Sequence, residues 1–424
     1  MTYRETLAQI YGLTRFGIRP GLERISALLD SLDAPQRRLR TIAIAGTNGK
    51  GSTASFLSSI LAASGLRVGL FTSPHLISFT ERITINGQEI SEDQVVALTS
   101  RIRAAAPPDT TFFEVVTALG LLHFAEAGVD VAILEAGMGG RNDATNAAEP
   151  LISIITPISL DHCEYLGSKL GEIAAEKSGI IRSGRPVLSA PQDPAALMVL
   201  ERNARSSGSP FLLSGRDFSA SWNDDGLVYQ GLKMRLEGLK PGIPGRHQAG
   251  NAACAVAATE LLHGDGFAVS GVSVRAGIAA AFWPGRLEMF PGEPRILLDG
   301  AHNPAGSLVL AEALADFPRD RLFLVAGMMG DKDAAAILEP LLPLVARGFA
   351  VTPSLERAMP AERLAGMMLE HGVFCSAAGS VAEGLRQAVA AAGPNDLVLV
   401  SGSLFTVGEA RAALLNRSCE QVRG

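Results

Sequence analysis

The sequence predicts an α/β fold in two units, each built on a mostly parallel sheet. From Thr41 the chain runs apolar strand, Gly-rich turn, helical pattern, apolar strand, which is the repeating unit of a parallel sheet. Residues 284–295, PGRLEMFPGEPR, place three prolines and two glycines in one short span, and this reads as an interdomain linker. After it the strand–helix alternation restarts. The 45 glycines and 5% aromatic residues suit tight strand-to-helix turns rather than a base-stacking surface. A chain of 424 residues is long enough for two or three domains, each with its own core.

In chain order, TIAIA at 41–45 is a strand, with a helix over 52–64 and a strand over 67–71. ERITINGQEIS at 81–91 alternates around Asn86-Gly87, the pattern of a tight hairpin. FEVVTALGLLHFAEAG is a helix that stops at Gly128, and VDVAILEAG and LISIITPIS are strands buried on both faces. GEIAAEKSGII is a short helix, residues 218–239 form a β-meander, and HQAGNAACAVAATELL is a small-residue helix. Beyond residue 294, RILLD, RLFLVAGM, RGFAVT and DLVLVSG are strands of a second α/β unit. A cleft between the two units is the default ligand site.

With 47% hydrophobic and 19% charged residues, the chain is globular rather than disordered. A net charge of −6 without basic runs excludes a general nucleic-acid or anionic-membrane binder. Cys163, Cys254, Cys375 and Cys419 are widely spaced and read as reduced thiols, not as disulfides or a zinc site. No apolar run reaches the ~20 residues of a membrane span, and the first residues lack a signal peptide's apolar core. The expectation is a cytoplasmic monomer.

The chemistry concentrates at strand ends. Residues 45–52, AGTNGKGS, join a buried strand to a helix. In that setting backbone N–H groups of Thr47, Asn48, Gly49 and Gly51 turn toward phosphate oxygens, Lys50 adds a cation, and the Ser52 hydroxyl reaches Mg²⁺. Gly51 between Lys50 and Ser52 departs from the strict phosphate-loop pattern, and the competing reading is a turn that only packs helix on strand. Glu135 ends a buried strand, where a carboxylate beside a phosphate loop holds the nucleotide's Mg²⁺. The glycines that follow, with Arg141 and Asp143, suit a backbone that approaches a ligand closely. His162 and Ser73 follow neighbouring strands and are further candidate metal ligands; the alternatives are a hydrogen-bonded core histidine and a turn cap. Lys177 on its own reads as a solvated helix lysine.

Together these residues resemble the Mur-ligase superfamily and, within it, folylpolyglutamate synthase/dihydrofolate synthase. The matching pieces run in order along nearly the whole chain. They are GLER (21–24), AGTNGKGS, TSPHL (72–76), ERI (81–83), FFE (112–114), LEAGMGGRNDATN (134–146), LDH (160–162) and EKSGI (176–180). PGRLE (284–288), DGAHNP (299–304), GMMGDKD (327–333) and SGSLFTVGEAR (401–411) complete the set.

The resemblance implies a P-loop ATPase-like Mur-ligase central domain over residues 1–284, a linker at 285–293 and a smaller Rossmann-like α/β domain over 294–424, with the active site in the cleft. It implies an ATP-dependent ligase that phosphorylates a pterin-type carboxylate and lets the amine of L-glutamate attack the acyl phosphate. Lys50 and Ser52 would serve the ATP phosphates and a first Mg²⁺, and Ser73, Glu135 and His162 a second. Lys177 matches a lysine that is N-carbamylated in the family. Asn251, Arg286 and Asp299 match nucleotide-contacting positions. Thr111, Phe112, Phe113, Glu114, Asn142, Asp143 and Ala144 match pterin-side segments. His302 and Asp331-Lys332-Asp333 are left as glutamate ligands or helix caps. A Mur ligase of cell-wall precursors is the nearest rival, and the 45 residues before Gly46 are too few for its extra N-terminal domain of roughly 100 residues. A P-loop switch ATPase is the rival of another class, and it would not need a second α/β unit carrying DGAHNP.

Overall fold

The computed structural model describes residues 1–13, 17 and 19–420. The first sheet comprises β1 (Thr41–Ala45), β2 (Val68–Phe71), β3 (Ile83–Ile85), β4 (Gln88–Glu89), β5 (Val131–Glu135), β6 (Pro150–Ile155), β7 (Val187–Ser189) and β8 (Phe211–Leu213). Their spatial order is β4-β3-β2-β5-β1-β6-β7-β8, parallel except for the β2-β3-β4 hairpin edge. Strand β1 lies between β5 and β6, so the loops leaving the carboxyl ends of β2, β5, β1 and β6 open side by side. That is where open parallel sheets bind ligands.

The strands are apolar throughout because both faces of the sheet are covered. Ile42, Ile44, Val131, Ile133, Ile152 and Ile154 meet the helices Lys50–Ala63 and Gln248–Leu262 in one core. Ala132 and Leu134 join the helix Phe112–Ala127 in another. That helix opens on a Thr111/Glu114 capping box and closes on Gly128 at φ 63°, a left-handed position suited to glycine.

Residues 219–239 form the expected meander: β9 (Ser219–Asn223), β10 (Gly226–Gln230) and β11 (Arg235–Leu239). It is fastened to the helix Gln248–Leu262 by one buried carboxylate. Glu260 accepts from Tyr229 Oη (2.6 Å) and from the backbone N–H of Leu232 (2.9 Å), Lys233 (2.8 Å) and Met234 (2.6 Å).

The second sheet holds β12 (Glu288–Phe290), β13 (Arg295–Leu298), β14 (Leu322–Ala326), β15 (Arg347–Ala350), β16 (Cys375–Ala377) and β17 (Leu397–Ser401) in the order β12-β13-β17-β14-β15-β16. It is parallel except for β12. The span expected to be a bare linker therefore contains the sheet's edge strand. Leu287 is buried in the second unit's core, and the Glu288 carboxylate accepts from Gly285 N (2.8 Å) and Arg411 Nε (3.0 Å). Proline and glycine there shape an edge strand rather than a free tether. No helix among the described residues is long and apolar enough to cross a membrane.

Glu260→Ala should strand the buried Tyr229 hydroxyl and leave three part-buried backbone donors without their acceptor, at ~1–3 kcal/mol for each that stays unsatisfied. A urea melt should show at least about 3 kcal/mol of lost stability. A midpoint equal to wild type would disprove the fastening role.

Candidate active site

The 46–52 loop leaves β1 as a tight cradle. Gly46 sits at φ 149° and Gly49 at φ 86°, and a Cβ on either would overlap Thr156 or Asn251. Thr47 and Asn48 donate their N–H groups to Pro157 O (2.9 and 3.2 Å), which ties the loop to the end of β6. The helix Lys50–Ala63 begins at Gly49 without a side-chain cap, so its first-turn N–H groups are available to an anion. Lys50 Nζ donates to Thr47 O (3.1 Å), and Ser52 is buried in the first turn. Gly51 has a packing reason that the sequence did not reveal. The Trp283 indole lies over it, 2.6 Å from where a Cβ would be.

Glu135 is buried at the end of β5, and its Oε2 has no hydrogen-bond partner. Burial pushes its pKa up to about 7, against the opposing pull of Lys50, the Ser73 N–H and Arg286. Ser73 lines the same cavity as Glu135. The orphaned carboxylate oxygen fits a divalent ion, an oxygen ligand of the kind Mg²⁺ takes. Among the described residues no three His, Cys, Asp or Glu side chains converge as a metal cage. The expected set of Ser73, Glu135 and His162 contains only two such side chains. His162 begins a short helix at φ 51°, and its ring is 41% exposed with Nε2 3.9 Å from Asp161 Oδ2. Burial, chiefly, lowers its pKa to about 4, so the ring is neutral at pH 7.

Lys177 is 2% exposed, so it is not the solvated helix lysine that its local sequence alone suggests. Nζ donates to Gly46 O (2.8 Å) and Met138 O (2.9 Å), bridging the phosphate loop and the loop after β5. Burial, reinforced by Lys50, pulls its pKa down to about 7. A neutral amine has two N–H donors and one lone pair. Both donors are used here, and the lone pair is left over.

The pterin-side segments gather around the glycines after β5. Phe113 is half-buried, and its ring lies 2.6 Å from where a Gly137 Cβ would stand. Phe112 is core, stacked on Tyr11 at 5.6 Å, and Ala144 is buried with it. Thr111 and Glu114 cap their helix, and Glu114 also binds Arg24 Nε (3.1 Å). The Asp143 carboxylate accepts from Gly137 N (2.9 Å), Thr145 N (3.0 Å) and Thr145 Oγ1 (2.6 Å), holding its own loop. Asn142 is exposed.

Of the nucleotide positions, Asn251 lies against Gly49 and accepts from Thr53 Oγ1 (3.4 Å). Arg286 lies over Gly300 and donates to Gly285 O (2.9 Å). Both carboxylate oxygens of Asp299 are engaged by backbone, accepting from Leu287 N and Ala301 N at 3.0 Å. A cavity of about 570 Å³ opens beside Glu135 and is walled by Ser73, Trp283, Arg286, Leu404 and Arg411.

Asp161 enters the sequence reading only as His162's neighbour, yet it joins the two units. Its carboxylate meets Lys332 Nζ (2.5 Å), Asn303 Nδ2 (3.2 Å) and His302 Nε2 (3.5 Å). Burial would raise its pKa, but the His302 hydrogen bond, the His302 and His162 charges and Lys332 hold it well below the usual carboxylate range. Of the Asp331-Lys332-Asp333 run, Lys332 makes this pair, Asp333 caps the helix Ala334–Leu338 and Asp331 is exposed. Asn303 exchanges amide hydrogen bonds with Asn48 of the phosphate loop (2.9 and 3.2 Å).

Residues 44–259 match the model of the Mur ligase middle domain, and residues 285–404 match that of the Mur ligase, glutamate ligase domain. The dihydrofolate synthase/folylpolyglutamate synthase of Bacillus subtilis is 34% identical over 97% of this chain and 99% of its own. Escherichia coli FolC, solved with DHPP and ADP, superposes with a TM-score of 0.91 at 33% identity, covering 98% of each chain. A bifunctional folylpolyglutamate synthase/dihydrofolate synthase solved with Mn, AMPPNP and L-glutamate has a TM-score of 0.88 at 34% identity, covering 97% of this chain and 98% of its own. Fold, phosphate cradle and full-length likeness agree, and the chain belongs to the dihydrofolate synthase/folylpolyglutamate synthase family of Mur ligases.

Proposed function

We propose that the protein uses ATP to join L-glutamate to the carboxylate of dihydropteroate and to the γ-carboxylate of folyl-glutamates. The products are dihydrofolate or a longer glutamyl tail, with ADP and phosphate. The observation that carries this reading is Glu135. A buried carboxylate with a free oxygen stands at the end of β5, beside the phosphate loop and within the fields of Lys50 and Arg286. Relatives solved with ADP, with DHPP, and with Mn, AMPPNP and L-glutamate support the substrates and a divalent ion.

A carboxylate is a poor electrophile, and phosphorylation gives it a leaving group. The backbone N–H groups of Gly49 and Gly51 hold phosphate oxygens; those of Thr47 and Asn48, expected to do the same, are instead bonded to Pro157 O and hold the loop in shape, and Lys50 neutralises charge on the moving phosphoryl group. Asn251, Arg286 and Asp299 form the nucleotide side of the cleft. Ser52 would hold one Mg²⁺, and Ser73, Glu135 and His162 a second. The ions would supply charge neutralisation on the phosphoryl and acyl-phosphate oxygens. Lys177 in its neutral form presents the lone pair needed to take up CO₂ as a carbamate, whose oxygens add negative charge beside the phosphate loop. Phe113, with Asn142 and the 111–114 and 142–144 segments, borders the pterin, and His302 lies on the glutamate side.

ADP release by purified protein should require both a pterin carboxylate and L-glutamate. Turnover indifferent to both substrates would refute the ligase reading. Lys50→Ala should lower kcat/KM by about 10³ or more, the scale of a lost phosphate-clamping charge, without changing the circular-dichroism melt.

Lys177 and Glu135 both act in their deprotonated forms, and each pKa lies at about 7. Ligase activity should therefore rise with pH through about 7 and fall below it. ¹³C-bicarbonate should give a carbamate carbonyl NMR signal that grows over the same range and is absent from Lys177→Ala. A signal of equal strength in that variant would place the modification elsewhere.

A further inference from the structure

We infer that Leu76 and Ile77 couple the second unit mechanically to the metal side of the site, with Gly408 as the positioning residue that allows the contact. This rests on the reading of Ser73 and Glu135 given above. Residues 72–82 leave β2 of the first sheet; Phe79 returns to the first unit's core, but Leu76 and Ile77 do not. Leu76 and Ile77 are buried in the core of the second unit, among Val398, Val400, Val407 and Ala410. The other end of the same loop carries Ser73, which lines the same cavity as Glu135.

The loop cannot yield easily between those ends. Glu81 accepts from the N–H groups of Leu76 (2.8 Å), Ile77 (3.1 Å) and Ser78 (3.0 Å), folding the loop as one body. Thr72 N donates to Arg82 O (3.0 Å), and buried Arg82 donates to His75 Nδ1 (2.8 Å), closing the loop's base. The C-terminal segment holds the far side. Glu420 N donates to Ile77 O (2.8 Å), Phe79 N donates to the Glu420 carboxylate (2.7 Å), and Cys419 Sγ lies 3.4 Å from Leu76 O.

Gly408, in the helix Leu404–Leu414, completes the joint. A Cβ there would overlap the Leu76 carbonyl oxygen, which is backbone within a braced loop. Close packing transmits strain of this kind instead of absorbing it. A shift of the second unit, such as filling of the glutamate side would produce, thus moves Leu76 and Ile77 and with them Ser73 at Glu135. Phosphoryl transfer is in this way made responsive to occupancy of the second unit.

The test is Gly408→Ala in the full chain, with Gly366→Ala as control, since a Cβ at Gly366 meets nothing within 4 Å. ADP affinity, measured by calorimetry without metal, should stay at the wild-type value in both variants. In Gly408→Ala the Mg²⁺ concentration for half-maximal turnover should rise at least about tenfold and kcat should fall by about ten- to a hundredfold, the scale of a ~1 Å misplacement. Gly366→Ala should match wild type. Ile77→Val removes a single methylene from the same joint and keeps the test open if Gly408→Ala does not fold. It should raise the Mg²⁺ requirement in the same direction by about fivefold, the ratio to which the ~1 kcal/mol of one buried methylene converts at ~1.4 kcal/mol per tenfold. A folded Gly408→Ala protein with wild-type Mg²⁺ dependence and kcat overturns the coupling, as does an Ile77→Val protein that loses stability alone. Wild-type protein without glutamate-dependent turnover would instead overturn the functional reading.

Discussion

The site depends on one buried amine. Lys177 reaches the interior from the end of the helix Leu170–Lys177 and bridges Gly46 O and Met138 O. An isolated ammonium there would be costly, and among the described residues no carboxylate pairs with it to offset that cost. Burial and the Lys50 charge bring its pKa down, and the more distant carboxylates of Asp161, Asp143 and Glu176 limit the fall to about 7. The bridge fixes the distance between the loops after β1 and β5, and so between the phosphate cradle and Glu135. Carbamylation would replace one donor with acceptor oxygens, and at least one of the two carbonyls would then lose its partner. Modification and loop spacing are therefore linked.

A chain with a net charge of −6 that handles anions has to concentrate positive potential. Lys50 is the common term: it opposes the burial-driven rise at Glu135 and deepens the fall at Lys177. Lys332 is drawn to the same region but is neutralised by Asp161. The basic groups thus fall into two kinds. Among the described residues Lys50 and Arg286 bond only to backbone carbonyl oxygens, whereas Lys332 is committed to holding the units together.

Apolar runs bounded by turn residues made β1, β2, β5, β6 and the four core strands of the second sheet legible, whereas the hairpin was legible from alternation around Asn86-Gly87 and the meander from its turn residues. Strands β7, β8 and β16 are three residues long, below the length at which a pattern emerges. Prolines and glycines at 284–295 read as a linker, yet the span carries the edge strand β12, since edge strands tolerate both. The phosphate loop and Glu135 were legible because their chemistry is local to strand ends. Asp161, Trp283, Leu76 and Ile77 were not, because their roles arise from partners more than a hundred residues away. Lys332 lies 171 positions from Asp161, and no periodicity reports such a pairing.

The same non-locality explains how the two units act as one site. Asn303 Oδ1 accepts from Gly306 N (2.8 Å), capping the helix Pro304–Ala313, and the same oxygen accepts from Asn48 Nδ2 (3.2 Å). Its amide nitrogen is divided between Asn48 Oδ1 and Asp161. One side chain thus closes a helix of the second unit, touches the phosphate loop and touches the acidic residue that binds Lys332. Separating the units would break the polar latch around Asp161 and pull Leu76 and Ile77 from an apolar core. The first of these is electrostatic and weakens with salt where solvent reaches it. The second is hydrophobic and does not. The cleft is therefore held by one interaction that ligand charge can compete with and another that it cannot, which lets substrates rearrange the polar side while the apolar joint keeps the loop after β2 in register.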